Sequence, residues 1–468
     1  MTNWDRWQAY NSGLSSPQNY IDWSWLYLVG AALQRRVWVG PEHQPVFANK
    51  YVILVGEPGI GKGLPIRAVS DFLSHWKKKD GPKLDPITLS PVDQERLKIL
   101  NECDFDEDVQ EKAKIEPQGK AKAADLMEPL LFPMAADATT YEALVLAVAD
   151  AYTKMNYVKT REDGTKKLEV TGHSSVNFCL QELASLMRKR TEDIVNYMLG
   201  LYDCPTDYMY QTISRGKDRV RRGCLNVLAG TTPSFMQSTF DDKLADEGFN
   251  SRTFYIYAKK NRKNQFFMPL LAEEQKQHKI DLLNHIRALA GLYGNVTVDA
   301  ETYAYLAEWW DDQEKNKHKR PNTSIKLKPY YSRKNIHVMK LAMAKHFGES
   351  TEMHIPLETF KWAIEFLAAE EKNMHLAIVL EAQTPVAKAS QKILEHLTTG
   401  RKTMVEVLVA THHVAKKSEV MEAIEFLQET SQIEQDDIPI EGTDRFKCYF
   451  QLFGEKEKAL KAKELAKT

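Results

Sequence analysis

The chain has 468 residues, 43% of them hydrophobic, and its 63 Lys and Arg nearly balance 64 Asp and Glu for a formal net charge of −1. That length supports two or three buried cores, and the even charge excludes bulk attraction to polyanions, so such a partner must be held by a local basic patch. Five well-separated cysteines (Cys103, Cys179, Cys204, Cys224, Cys448) without a Cys-x-x-Cys pair disfavour a disulfide framework or a zinc site. They point to a reducing compartment. The opening Met-Thr-Asn-Trp-Asp-Arg-Trp lacks the apolar centre of a signal peptide, and no apolar run approaches the roughly 18 residues that span a bilayer. The expectation is a soluble, cytoplasmic protein with no membrane partner.

Residues 17–35 read as a helix whose aromatic stripe suits packing, and Arg36–Gly40 reads as a short strand, so residues 1–45 form an N-terminal segment lying on the core. Tyr51–Val55 is a buried central strand running into a glycine-rich loop, and Arg67–Trp76 is helical. The charged stretch 102–124 reads as an exposed insertion. Leu130–Ala136 reads as a strand leading to a capping box at Thr139–Glu142, and Lys159–Lys167 as a hairpin turn around Asp163-Gly164. Ser175–Leu180 and Cys224–Ala229 are apolar strands ending in polar residues. Strands alternating with helices predict an α/β core over 46–271 with a mainly parallel sheet, whose ligands collect at the carboxyl edge. Residues 272–384 read as a helical lid. After the boundary at Thr384-Pro385, helices at Lys388–Leu397, Met404–Thr411 and Ser418–Thr430 precede two strand-like segments. This is the pattern of a winged helix-turn-helix over 385–453, with a charged tail at 454–468.

The loop Gly56, Glu57, Pro58, Gly59, Ile60, Gly61, Lys62, Gly63 is where the chemistry concentrates. Its glycines let backbone N–H groups surround a polyphosphate, and Lys62 reaches the β and γ oxygens. A hydroxyl for Mg²⁺ normally follows the lysine, and Gly63 has none. Glu182 directly follows an apolar strand, suited either to polarising an attacking water or to an ordinary helix N-terminus. Gln181 before it stands where an Asp usually holds the Mg²⁺ shell. Thr232 or Thr231, in Gly230-Thr-Thr-Pro233, suits a sensor of the terminal phosphate, or simply a turn. Arg252, just before the strand Thr253–Tyr257, suits insertion into a neighbouring subunit's site, or a structural ion pair. Arg333, opening a lid helix, is a candidate second positive sensor, or an ordinary surface arginine at a helix start. Tyr208–Arg222 reads as a hairpin with five basic residues (Arg215, Lys217, Arg219, Arg221, Arg222), which either bind a phosphate backbone with Tyr208 and Tyr210 as stacking groups or form a solvated surface.

The order of these motifs resembles the AAA+ ring helicases of the pre-sensor-1 hairpin group, which includes minichromosome-maintenance and superfamily 3 helicases. More closely, Val52–Gly63, Gln181–Leu183, Leu201–Cys204, Leu225–Pro233 and Gly248–Arg252 look like phage and prophage P-loop ATPases of replication, over roughly residues 15–370. The resemblance implies that Gly56–Gly63 binds ATP with Mg²⁺, Glu182 activates water and Thr232 senses the γ-phosphate. It also implies that Arg252 completes a neighbour's site and that Arg215 and Lys217 grip single-stranded DNA in the pore of a homo-oligomer, a hexamer. Gly63 and Gln181 depart from the pattern at both usual metal-shell positions, and the metal ligands stay unassigned. Two functions follow: an ATP-driven DNA helicase, or a weakly hydrolysing initiator or helicase loader. The winged helix, with Lys416 and Lys417 but also Glu419, Glu422 and Glu425, suits either DNA or a replication partner.

Overall fold

The computed structural model describes residues 1–83, 91–102, 129–136, 140–160, 166–187, 191–212, 216–239, 248–322, 327–378, 385–430, 432–439 and 446–452. The chain divides into two compact units, Met1–Val379 and Leu380–Thr468.

In the first unit, α1 (Asn3–Tyr10) and α2 (Gln18–Leu33) precede β1 (Val37–Val39), β2 (Val46–Phe47) and β3 (Tyr51–Val55). Then come α3 (Gly63–His75), α4 (Tyr141–Asp150), β4 (Tyr152–Thr160), β5 (Lys166–Leu180), α5 (Thr191–Tyr202), β6 (Asp207–Thr212), β7 (Gly216–Arg221), β8 (Gly223–Thr231) and β9 (Thr253–Tyr257). The unit closes with α6 (Glu273–Leu289), β10 (Gly294–Val296), α7 (Ala300–Lys315), α8 (Lys334–Glu349) and α9 (Leu357–Ile378). Five strands form one sheet in the order β4-β5-β8-β3-β9, parallel except for the edge strand β4. Every residue of β3 is buried, as a strand covered on both faces requires. The mixed α/β, mainly parallel architecture is as expected.

Helix α2 is buried on nearly all sides, including Tyr20, Trp23, Trp25 and Tyr27, so its aromatic stripe is core. The residues expected as a helical lid share that core: Leu282, Leu341, Phe347, Phe360 and Leu367 belong to the same buried cluster as β3 and β8. The described residues of 272–378 belong to the same compact unit as the sheet.

Three local expectations shift. Leu130–Ala136 is not a ladder strand but makes two isolated bridges, Leu130 with Lys77 and Met134 with Asn177. Pro133 lacks the N–H a ladder needs; its carbonyl instead accepts from the Asn177 backbone at 3.0 Å. Strand β5 starts at Lys166, well before Ser175, because the polar stretch Lys166–His173 pairs with β4 in an antiparallel arm. Helix α3 begins at Gly63 rather than Arg67. The helix after residue 140 is capped by Thr140, whose hydroxyl accepts from the Ala143 backbone at 3.3 Å; Thr139 and the Asp163-Gly164 turn lie outside the described residues.

The second unit contains α10 (Pro385–Leu397), β11 (Lys402–Thr403), α11 (Met404–Thr411), α12 (Lys417–Glu429), β12 (Ile433–Pro439) and β13 (Phe446–Leu452). Its strands form an antiparallel sheet, β11-β13-β12, and Ile393, Val407, Val420, Leu427 and Phe450 make its own core. The insertion at 103–124 and the tail at 454–468 lie outside the described residues. Among those described, no helix is long and apolar enough to cross a membrane, and Cys204, Cys224 and Cys448 are free thiols.

Candidate functional site

Three strand ends meet at the carboxyl edge of the sheet. Strand β3 delivers Gly56, whose N–H donates to the Thr231 carbonyl at the end of β8 (3.3 Å), and the Leu183 N–H after β5 donates to the Gly230 carbonyl at 2.7 Å. Gly59 and Gly61 take left-handed backbone angles, φ 83° and 89°, so the chain curls back before α3. Two side chains of the N-terminal segment hold this loop. The Ser16 hydroxyl donates to the Gly61 carbonyl at 2.7 Å, and the Tyr20 phenol donates to the Val55 carbonyl at 2.6 Å. The sequence did not mark these supports, because their role depends on α2 crossing beneath the loop.

Lys62 caps α3 and is 7% exposed. Its ammonium donates to the carbonyls of Gly56 (2.6 Å) and Glu57 (3.0 Å), so the charge is centred in the loop's mouth. Burial pulls it below its ordinary range, against the opposing pull of the Glu182 and Glu57 carboxylates. Glu182 is exposed beside it. An ammonium held against the carbonyls of a glycine-rich loop is a cation that fits a polyphosphate.

Gly63 and Gln181 are in contact. A Cβ on Gly63 would stand 2.1 Å from the Gln181 Oε1 and 3.3 Å from its Cδ. The carboxamide therefore fills the space where the usual Ser or Thr side chain would lie. The two departures from the motif are one arrangement, in which an amide oxygen replaces a hydroxyl oxygen. Amide oxygens and hydroxyls are both hard oxygen donors acceptable to Mg²⁺, which keeps several waters and takes further oxygens from phosphates. Among the described residues no group of three or more His, Cys, Asp or Glu could hold a metal ion.

Thr232 leaves the strand and caps the helix Pro233–Thr239: its hydroxyl accepts from the Phe235 backbone at 3.3 Å and lies 3.1 Å from the Ser234 hydroxyl. Thr231 is 1% exposed with an unpartnered hydroxyl. Gly230 faces Lys62 and Ile66 of α3, so strand alternation turns Thr231 to the opposite face of the sheet.

Arg252 and Arg333 lie elsewhere, at the amino edge. Arg252 precedes β9, whose five residues separate it from the level of the loop by about 15 Å. Both arginines converge on Asp203, after α5: an Arg252 Nη is 3.3 Å from one carboxylate oxygen and an Arg333 Nη is 2.9 Å from the other. Burial pushes the Asp203 carboxyl up, but the two guanidiniums, Arg333 foremost, outweigh it and hold it below its ordinary range. Neither arginine faces its own chain's loop. Asp203, within the Leu201–Cys204 motif, is the partner that residue-by-residue reading missed.

The basic hairpin exists as β6 paired antiparallel with β7, Asp207 opposite Arg221. Its cations are not equivalent. Arg219 is bound twice by Asp207, at 2.7 and 3.0 Å, Arg221 lies 5.5 Å over the Tyr152 ring, and Arg222 forms the root. Arg215 and the Lys217 side chain lie outside the described residues. Tyr208 and Tyr210 are half-buried and packed edge-on against Tyr197 (5.1 Å) and Tyr141 (5.2 Å).

The chain matches no protein-family model and no curated protein.

Proposed function

We propose that this protein is an ATP-driven DNA helicase or translocase of the AAA+ type, working as a ring of identical subunits, a hexamer, in phage or mobile-element replication. One observation carries this reading. The two edges of one sheet bear complementary half-sites: Lys62 and Glu182 on the carboxyl edge, Arg252 and Arg333 on the amino edge, where they are of no use to their own loop. Copies set edge to edge supply each loop with a neighbour's arginines.

In this reading the loop N–H groups and Lys62 orient the polyphosphate, with Gln181 offering the metal an oxygen. ATP would supply the free energy of phosphoanhydride hydrolysis, and a bound Mg²⁺ would supply charge neutralisation at the phosphates. Glu182 takes the proton of the attacking water, Thr232 orients it, and Arg252 and Arg333 of the adjacent subunit leave Asp203 to stabilise charge on the transferring group. The hairpin tip, Arg215 and Lys217, grips single-stranded DNA, while Arg219, committed to Asp207, stiffens the hairpin.

The second reading, a weakly hydrolysing initiator or loader, is favoured by the Gly63–Gln181 substitution, since a neutral amide binds Mg²⁺ less firmly than a carboxylate. The second unit, read as a winged helix, suits a protein partner. On α12, Glu422 and Glu425 are exposed beside Met421 and Phe426, a poor surface for phosphates. ATP hydrolysis measured with and without single-stranded DNA, beside a mass measurement of the assembly, tests the proposal. DNA-stimulated turnover by a ring supports the motor; DNA binding with negligible turnover moves the assignment to the loader, and a monomer removes the shared site.

A further inference from the structure

A second concavity opens between β1, β2 and the root of the β6–β7 hairpin, with a volume of about 420 Å³. It is at the amino edge of the sheet, away from Lys62 and separate from the nucleotide loop. Arg35, Trp38, Phe47, Arg222 and Tyr293 are among the residues that line it. Arg35 is 5% exposed; one Nη donates to the Cys204 carbonyl at 2.6 Å and the guanidinium lies 5.0 Å over the Phe47 ring. Its Nε and other Nη have no acceptor. Arg222 is pinned by its backbone, its N–H donating to the Thr206 carbonyl at 2.7 Å and its carbonyl accepting from Ser174 at 3.3 Å. It takes a left-handed φ of 50°, strained for a residue with a Cβ. The Arg222 Nε and the Trp38 Nε1 are also buried without acceptors.

The unsatisfied groups of this cavity are thus donors, on two cationic side chains and an indole. Behind them, Arg36 and His173 are buried as well. Burial, followed by the charges of Arg36, Arg222 and Arg35, holds the His173 imidazole well below its ordinary range. Two carboxylates line the cavity, Glu42 and Asp203; among the described residues neither pairs with Arg35, Arg36 or Arg222, and Asp203 is taken by Arg252 and Arg333. Buried donors and cations without acceptors are costly and rarely left so. A ligand with several anionic oxygens satisfies them together, and guanidinium groups match phosphate geometry. Trp38 and Tyr293, in edge-on contact at 5.5 Å, form an aromatic wall beside the cations.

We propose that this cavity is a phosphate-binding site, in which Arg35, Arg222 and the Trp38 indole N–H donate to the phosphate oxygens of a nucleotide, either free or within a DNA strand entering at the hairpin root. The test uses the full chain carrying Lys62→Ala, which keeps the glycine loop out of the readout. Its melting temperature is followed in inorganic phosphate against chloride at matched ionic strength, and a fluorescent single-stranded oligonucleotide is titrated in parallel. Phosphate is expected to raise the melting temperature, and adding Arg222→Met to abolish the rise. Arg35→Lys, which keeps the charge but loses the fork of donors, is a second variant should the first fail to fold, and it too should abolish the rise. Oligonucleotide affinity reduced about tenfold in either variant assigns the phosphate to the DNA backbone. Unchanged affinity with a lost phosphate response assigns it to a free phosphorylated ligand. No phosphate-specific rise, or a rise that survives both substitutions, overturns the site.

Discussion

Replacing Gly63 by Ser installs the residue that phosphate loops usually carry, and the structure says what this costs. The new Cβ would meet the Gln181 Oε1 at 2.1 Å, so the carboxamide must leave. Gln181 is exposed and free to rotate, so displacement costs about one unfavourable rotamer, ~1 kcal/mol, rather than a core clash. In return, glycine is lost from the first position of α3, worth at most about 0.5 kcal/mol when serine replaces it. The rotamer cost outweighs this slightly in the parent chain. In a Gln181→Ala background there is nothing to displace, so Gly63→Ser should stabilise by up to about 0.5 kcal/mol. Urea unfolding of the four proteins of this double-mutant cycle should give a coupling of about 1 kcal/mol between the two positions. Additive effects, or loss of folding in Gly63→Ser alone, would refute the contact. Nucleotide affinity with and without Mg²⁺ on the same proteins gives the functional half: Gln181→Ala should reduce the increment due to the metal, and the added serine should restore part of it.

Lys62→Ala should abolish ATP binding, whereas Arg252→Ala should keep binding and lose hydrolysis in the assembled ring; normal turnover by Arg252→Ala would end the assignment in trans. Removing charge at Arg215 and Lys217 together should weaken single-stranded DNA binding and lower its salt slope by about 2, and an unchanged slope would exclude the hairpin tip as the grip. Glu371, fully buried against Lys334 at 2.8 Å, should cost about 3–5 kcal/mol when replaced by Ala, because the ammonium is left buried and unpaired; a urea-derived loss under about 1 kcal/mol would contradict this. Burial pushes the Glu370 carboxyl up to about 7 from an ordinary value of 4.5. With the folded value the higher one, its contribution is complete below about pH 4.5 and is lost as pH rises through about 7. Glu370→Gln should therefore gain melting temperature over the parent at pH 8 but not at pH 4.5, and a constant difference would show that Glu370 does not titrate there.

What was legible in the sequence is what is local. Five apolar residues followed by four glycines in eight positions define β3 and its loop, and alternation around a basic turn defines the β6–β7 hairpin. Leu130–Ala136 misled because its apolar content is that of a strand, whereas Pro133 removes a ladder donor. Strand β5 looked short because its first half is polar, and its partner β4 is what makes it a strand. Tyr208 and Tyr210 have the same spacing whether they face solvent or protein, and only Tyr197 and Tyr141, from α5 and α4, decide it. The Gly63–Gln181 contact joins two positions that read separately as losses. Asp203 was invisible as a partner because its arginines stand 49 and 130 residues away.

Asp203 also bears on how the two edges of the sheet could be coupled through DNA. Within four residues the chain passes from Asp203, which holds Arg252 and Arg333, through Cys204, whose carbonyl accepts from Arg35, to Thr206, whose carbonyl accepts from Arg222. The next residue begins the hairpin. If copies share sites as proposed, a neighbour's phosphate drawing Arg252 away from Asp203 would have to compete with a carboxylate, and the exchange would act on a segment bonded directly to the hairpin root. A coupling mechanism requires an element with two discrete arrangements that both sites bias. A carboxylate shared by two arginines has that character, since losing one leaves the other bound. Coupling of this kind draws on the differential affinity of the arginines for phosphate and carboxylate, not on distance.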